Sequence, residues 1–352
     1  MPDARVQAAI ANWGPRLISN GIDYNDFIRV TSSLERWEDW LDAWWATAEV
    51  HRSLAVQARA HGHARSAGEA FARAAVCFHF AKFVWVLDPE RNRAATTAAV
   101  AALHDAHALL DPTAERIVAP LGEATVVANL RRPTIAGPAV PLVVLIPGLD
   151  STKEEFFIWE SVFLSRGMAT LSLDGPGQGE TGFALHIRPD YEVAVAAILD
   201  AVADRRELDL DRVGAAGVSL GGYYVVRAAA FEPRLRAIAS VSGPFDAAAQ
   251  WDVMPGLTRE AFIHHTGAGS AQEGRDRAAA LNLDGVAQRV RQPCLVLTGR
   301  RDRVIPWEQT QRIADAAPGA EWVLYDEGTH VCNNIPYKYR PRVADWMREA
   351  LR

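Results

Sequence analysis

Ser219 stands in the run Gly217-Val218-Ser219-Leu220-Gly221-Gly222, where small residues flank a single hydroxyl on both sides. A serine on a sharp turn from strand to helix needs such neighbours, because a Cβ there would strike the tight backbone that pushes the hydroxyl outward. The chemistry this allows is nucleophilic attack, and a hydroxyl needs a base to take its proton and a third group to orient that base. Both types occur downstream. Asp302 follows the apolar run Pro293-Cys294-Leu295-Val296-Leu297-Thr298-Gly299, and His330 follows Glu321-Trp322-Val323-Leu324-Tyr325. An Asp after a strand is usually a loop cap and a lone His usually structural. Serine, acid and histidine in that order, each behind a strand, are far less common by accident.

This order is that of the triad in an α/β-hydrolase fold. The attacked carbonyl becomes an oxyanion, which needs two amides aimed at one point. Leu220, at the start of the helix after the serine, offers one. The loop Pro147-Gly148-Leu149-Asp150 offers the other, from Leu149. Asp246 is the rival acid, because some hydrolases carry that group on an earlier strand. His264 and His265 are alternative bases, although they precede Asp302. Cys332 lies two residues past His330 but lacks an elbow. His61-x-His63 and His104-x-x-His107 lack a carboxylate at ligand spacing, so no metal is expected. Asp174-Gly175-Pro176-Gly177-Gln178-Gly179 has the wrong spacing for a dinucleotide loop and reads as a tight loop beside the site.

The elements that must position these groups fall into two parts. Up to about residue 120 the pattern is helical with no convincing strand. Ser32-x-x-Glu35 and Ser66-x-x-Glu69 read as capping boxes, the first opening a helix with Leu34, Trp37, Leu41, Trp44 and Ala48 on one face. The second helix carries Phe71, Ala74, Ala75, Phe78 and Trp85. Asp88-Pro89 caps a third, which ends at Asp111-Pro112. The tryptophans Trp13, Trp37, Trp40, Trp44, Trp45 and Trp85 are core residues on the plain reading, and on the sharper one line a pocket or a dimer face. From 121 the period changes: Ala124 to Leu130 reads as an edge strand, a proline-rich turn spans Pro133 to Pro141, and Leu142 to Ile146 is a buried parallel strand. Alternation of strands and helices then predicts a mostly parallel sheet over 121–352, with ligands at the carboxyl ends of its strands. An excursion over 243–292, with Trp251, Phe262, His264 and His265, reads as a lid-like insertion.

Lys and Arg number 37 against 43 Asp and Glu, a formal charge of −6, which argues against nucleic acid. The start has no apolar leader, the longest apolar run is far too short to cross a bilayer, and three scattered cysteines fit a reducing compartment, so a cytoplasmic location without membrane contact is expected.

Beyond the triad, longer motifs carry a resemblance. Gly148-Leu149-Asp150-Ser151-Thr152-Lys153-Glu154-Glu155, Arg166-Gly167-Met168-Ala169-Thr170, Asp174 to Glu180, Glu232-Pro233-Arg234-Leu235 and Trp251-Asp252 resemble the dihydroxypseudooxynicotine hydrolases of bacterial nicotine breakdown and the fungal pigment hydrolases that shorten polyketides. The resemblance implies a helical cap and dimerisation domain over 1–120, a homodimer, no cofactor, and hydrolysis of a carbon-carbon bond next to a ketone by Ser219, Asp302 and His330. It also points to Trp251 and Met254 as substrate contacts. Where the nicotine-degrading members carry an assisting glutamate after the Trp-Asp pair, this chain has Met254. That departure leaves an ester, lactone or thioester hydrolase, or a cyclase using the same pocket, as alternatives to the carbon-carbon hydrolase. A degenerate fold that only binds a small ketone or ester is the non-enzyme alternative.

Overall fold

A computed structural model describes residues 3–134 and 139–352. Part of the proline-rich turn expected over 133–141 therefore lies outside the described residues. The chain divides into two compact units, Met1–Ala114 with Glu154–Ile158, and Glu115–Lys153 with Trp159–Arg352.

The first unit is helical, with α1 over Ala4–Ser19, α2 over Tyr24–Ser33, α3 over Trp40–Ala60, α4 over Ala64–Lys82 and α5 over Pro89–Leu110. Aspartates begin three of them. Asp3 accepts from the Arg5 amide, Asp23 from Asn25, and Asp88 from Glu90 and Arg91, with Pro89 in the first turn as the sequence indicated. The two expected capping boxes are not used. Ser32 and Ser33 lie at the end of α2, their hydroxyls donating back to the carbonyls of Arg29 and Val30, and the next regular helix waits until Trp40. Ser66 sits inside α4, which starts at Ala64 without a side-chain cap, and Trp85 lies beyond the helix end. Trp13, Trp37, Trp40, Trp44 and Trp85 are buried, while Trp45 is half-buried. Trp40 donates its indole hydrogen to the Phe80 carbonyl at 2.9 Å and Trp85 to that of Trp37 at 3.1 Å, so these rings tie α3 to the α4 region.

The second unit holds one eight-stranded sheet, in the order β1-β2-β4-β3-β5-β6-β7-β8. Its strands are β1 (Glu115–Leu121), β2 (Ala124–Arg131), β3 (Val140–Ile146), β4 (Ala169–Asp174), β5 (Leu208–Val218), β6 (Leu235–Val241), β7 (Cys294–Gly299) and β8 (Glu321–Tyr325). The remaining helices are α6 (Phe157–Leu164), whose first two residues belong to the first unit, and α7 (Glu192–Asp200), α8 (Leu220–Phe231), α9 (Gly256–Thr266), α10 (Ala271–Ala279), α11 (Trp307–Ala316) and α12 (Pro336–Ala350). From β4 to β8 every neighbouring pair is parallel, and β2 runs antiparallel to both β1 and β4. β1 was not foreseen: it begins within the stretch read as helical, and it is β1, not β2, that forms the edge. Its burial alternates, with Ile117 and Ala119 inward and Val118 outward, and its Pro120 is a residue that edge strands tolerate. All six residues of β4 and of β7 are buried; β7 accordingly reads as a mostly apolar run, whereas β4 buries Thr170, Ser172 and Asp174 between its apolar residues. Ile146 of β3 pairs with Gly217 of β5, and Gly217 with Ser240 of β6, so the loops after these strands open at one sheet end.

Candidate active site

β5 runs into α8 through Ser219, whose backbone is held at φ 55° and ψ −125°. That left-handed φ is costly for a residue with a Cβ and persists only where surroundings fix it. Two glycines make the turn possible. A Cβ on Gly217 would lie 2.0 Å from the Gly221 carbonyl oxygen, and one on Gly221 would lie 2.2 Å from that of Ile146. The Ser219 amide donates to the Val241 carbonyl at 2.8 Å, locking the turn to β6.

The structure brings the three predicted residues together. His330 Nδ1 lies 2.8 Å from Asp302 Oδ2, and His330 Nε2 lies 3.0 Å from Ser219 Oγ. The other Asp302 oxygen accepts from the amides of Val304 and Ile305, both at 2.9 Å. A carboxylate only accepts, so the imidazole hydrogen sits on Nδ1 and the bare Nε2 faces the serine hydroxyl. The imidazole and carboxylate are shielded, with side-chain exposures of 4% and 0%.

Ser242 and Thr298 steady the histidine loop, and no motif in the sequence marks them. Ser242 Oγ bonds Thr298 Oγ1 at 2.8 Å and accepts from the Val331 amide at 3.2 Å. Val331 and Cys332 take φ of 56° and 54°, so the loop needs this support. Only long-range contacts reveal the two hydroxyls, which belong to β7 and the turn after β6.

The rivals are placed elsewhere. Asp246 caps its own loop, accepting from the amides of Ala248 and Ala249 and from Asn282. His265 Nε2 lies 3.3 Å from Asp150 Oδ1. His264 is lowered to about 4 by burial, helped by the neighbouring His265 and His186. Burial also pushes the Cys332 thiol up, away from the thiolate a nucleophile requires. Neither His61 with His63 nor His104 with His107 gathers a third ligating side chain among the described residues.

Leu149, Ser219 and Leu220 line one pocket, together with Gln250, Met254, Thr258 and Phe262 of the 243–292 segment. Met254 is thus among the residues that line this pocket. Trp251 does not line it among the described residues, and its ring packs edge-on against Phe262 at 5.8 Å. Among the described residues the Leu149 and Leu220 amides donate to no protein acceptor. The preceding Gly148 lies against Ser219, since a Cβ on it would be 3.0 Å from Ser219 Cβ.

A shielded serine-imidazole-carboxylate chain at the end of a parallel sheet invites comparison with known hydrolases. A family model described as Esterase FrsA-like matches residues 24–323. The 2,6-dihydropseudooxynicotine hydrolase of Paenarthrobacter nicotinovorans is 34% identical over 97% of this chain and 92% of its own. The 20-hydroxy-prefusarin hydrolase of Gibberella moniliformis is 36% identical over 59% of this chain, which spans 53% of that protein. The crystal structure of the 2,6-dihydroxy-pseudo-oxynicotine hydrolase superposes with a TM-score of 0.87 over 97% of this chain and 96% of that one, at 34% identity. AbyA5, at 20% identity and a TM-score of 0.75 over 99% of this chain and 98% of its own, shares the fold. The match over most of the sequence and the shared architecture agree: the chain belongs to the esterase FrsA-like family of α/β-hydrolases and is an enzyme.

Proposed function

We propose that this hydrolase cleaves a carbon-carbon bond next to a ketone, in a β-diketone or aryl-ketone substrate, with Ser219 as nucleophile, His330 as base and Asp302 as its orienting acid. The observation that carries the reading is the unbroken chain from Ser219 Oγ through His330 to Asp302, at 3.0 and 2.8 Å. His330 takes the serine proton as Oγ attacks the ketone carbon, and the Leu149 and Leu220 amides hold the alkoxide. Collapse breaks the bond to the neighbouring carbon. The electron pair is delocalised into the second carbonyl as an enolate, which the His330 imidazolium protonates. Water, deprotonated by His330, then releases the acyl group as a carboxylic acid and restores the serine. The whole-length relative is named as hydrolase of a pseudooxynicotine, which favours a ketone substrate.

Ester cleavage is the second reading, favoured by the esterase description of the family model. It differs only in the leaving group, an alkoxide instead of an enolate. Benzoylacetone and phenyl benzoate, followed by product analysis, separate the two, and ester turnover alone would remove the carbon-carbon reading. Ser219→Ala should abolish both activities and labelling by a fluorophosphonate. Retention of more than about a tenth of the rate would count against the serine, because removing a triad member typically costs orders of magnitude. The proposal includes a homodimer, which sedimentation equilibrium would test.

A further inference from the structure

The tight loop at Asp174–Gly179 has no part in the chemistry above, yet one of its side chains grips the backbone that offers the Leu149 amide. Gln178 is 1% exposed. Its Nε2 donates to the carbonyl of Pro147 at 2.7 Å and to that of Gly148 at 3.0 Å. Its Oε1 accepts from the Gly175 amide at 2.9 Å and the Tyr191 hydroxyl at 2.7 Å. Two donors on one side and two acceptors on the other leave the carboxamide a single orientation.

The consequence follows from peptide geometry. In a trans peptide the C=O and N–H bonds of one plane point in opposite directions. The Gly148 carbonyl and the Leu149 amide belong to the same plane. Drawing that carbonyl onto Gln178 turns the Leu149 N–H the opposite way, and Leu149 lines the pocket with Ser219. We infer that Gln178 is a positioning residue for the oxyanion hole, holding the Pro147–Leu149 backbone so that the Leu149 amide meets the transition-state oxygen.

The surroundings are built to hold it. Tyr191 is fully buried and stacks on Tyr224 of α8 with ring centroids 4.0 Å apart. Gly175 must be glycine, because a Cβ there would fall 2.4 Å from the Tyr191 ring. The loop is fixed at its base by Asp174, whose carboxylate accepts from the Lys153 amide and ammonium, both at 2.8 Å. Glu180 shares that ammonium at 2.8 Å.

The inference rests on the serine-hydrolase reading, and two variants test it. Gln178→Met keeps the length and removes every hydrogen bond. Gln178→Glu keeps the acceptors for Gly175 and Tyr191 but turns an oxygen toward the two carbonyls. The readouts are kcat and KM on whichever of benzoylacetone and phenyl benzoate is turned over, the fluorophosphonate labelling rate, and the thermal midpoint. Gln178→Met is expected to lower kcat and the labelling rate about 10²-fold, the scale of a lost oxyanion donor, with KM within about threefold. In Gln178→Glu both rates fall at neutral pH, and their ratio to wild type rises as the pH falls, because the protonated carboxyl regains a donor. Burial pushes the Tyr191 phenol well up, so it stays a donor throughout. Asp174 and Glu180 remain on Lys153, and the Arg116 and Lys153 contacts hold the Glu180 carboxyl below its usual range against burial. A Gln178→Met enzyme within threefold of wild type in kcat and labelling would overturn the inference, as would a pH-independent Gln178→Glu ratio if the Met variant fails to fold. Activity persisting in Ser219→Ala would instead overturn the serine-hydrolase reading.

Discussion

At the scale of single residues, the site is one imidazole whose hydrogen is placed by a carboxylate. Asp302 does this with one oxygen while the other is occupied by two amides, so the side chain is fixed from both ends. Asp302→Asn should leave the fold intact, since an amide oxygen can still accept from Val304 and Ile305. The NH2 would then face Nδ1 and drive the imidazole hydrogen to Nε2, where it cannot take the serine proton. A fall in kcat of about 10⁴ is expected from that tautomer change. A loss below tenfold, with an unchanged melting temperature, would mean that Asp302 does not orient the base. Ser219, Asp302 and His330 were legible because each sits in a local pattern: an elbow, or a loop behind an apolar strand. Gln178, Ser242 and Thr298 were not, because their partners at Pro147, Gly148 and Val331 lie far along the chain. No spacing rule reports a contact made only by the sheet closing.

The element that matters most is the turn from β5 to α8. Gly217 and Gly221 are needed there for close approach of backbone, and the sequence announced them by type. Gly217→Ala would drive a methyl to 2.0 Å from the Gly221 carbonyl, so the turn must open and Ser219 must leave its place. Gly122→Ala makes the matched comparison, with φ +62° and nothing within 4 Å of the added Cβ. The Gly122 variant should cost about 1 to 2 kcal/mol of backbone strain and keep full activity. The Gly217 variant should cost about 1 to 3 kcal/mol from overpacking and lose its activity. Urea unfolding and turnover read both, and an active Gly217→Ala enzyme would show that the turn is not rigidly required. The helices were harder to read than the elbow. Ser32 and Glu35 have capping-box spacing, but the Ser32 hydroxyl serves its own preceding turn, an alternative always open to serine. β1 was missed because its alternation is short and interrupted by Pro120, and only pairing with β2 settles it as a strand.

Taken whole, the molecule contains a helical unit and a sheet unit, and among the described residues no helix is long and apolar enough to cross a membrane. The first unit runs to Ala114, and Glu154–Ile158 joins it from far along the chain. Glu155 ties that short segment in, accepting from Arg16 and Asn20 at 2.6 Å and lying 3.1 Å from His79. Burial alone would raise its carboxyl, but the Arg16 guanidinium and the His79 contact hold it well below the usual range. Burial, with the Lys82 charge, lowers His79. His264 in the sheet unit behaves likewise, at about 4 against an ordinary 6.5. Between those two values the unfolded chain protonates His264 and the folded chain does not, so stability falls as the pH drops through that window. Glu155 adds a loss at lower pH, as acid approaches its depressed folded value. Both units therefore weaken toward acid. His264→Gln removes one of these titrations while keeping a polar side chain, so its urea midpoint should depend less steeply on pH between 6.5 and 4 than that of the wild type. The steep loss below 4.5 should remain, because Glu155 and other paired carboxylates are untouched. If the two proteins give parallel midpoint curves across the upper window, His264 does not stay neutral in the fold and contributes nothing to the acid sensitivity there.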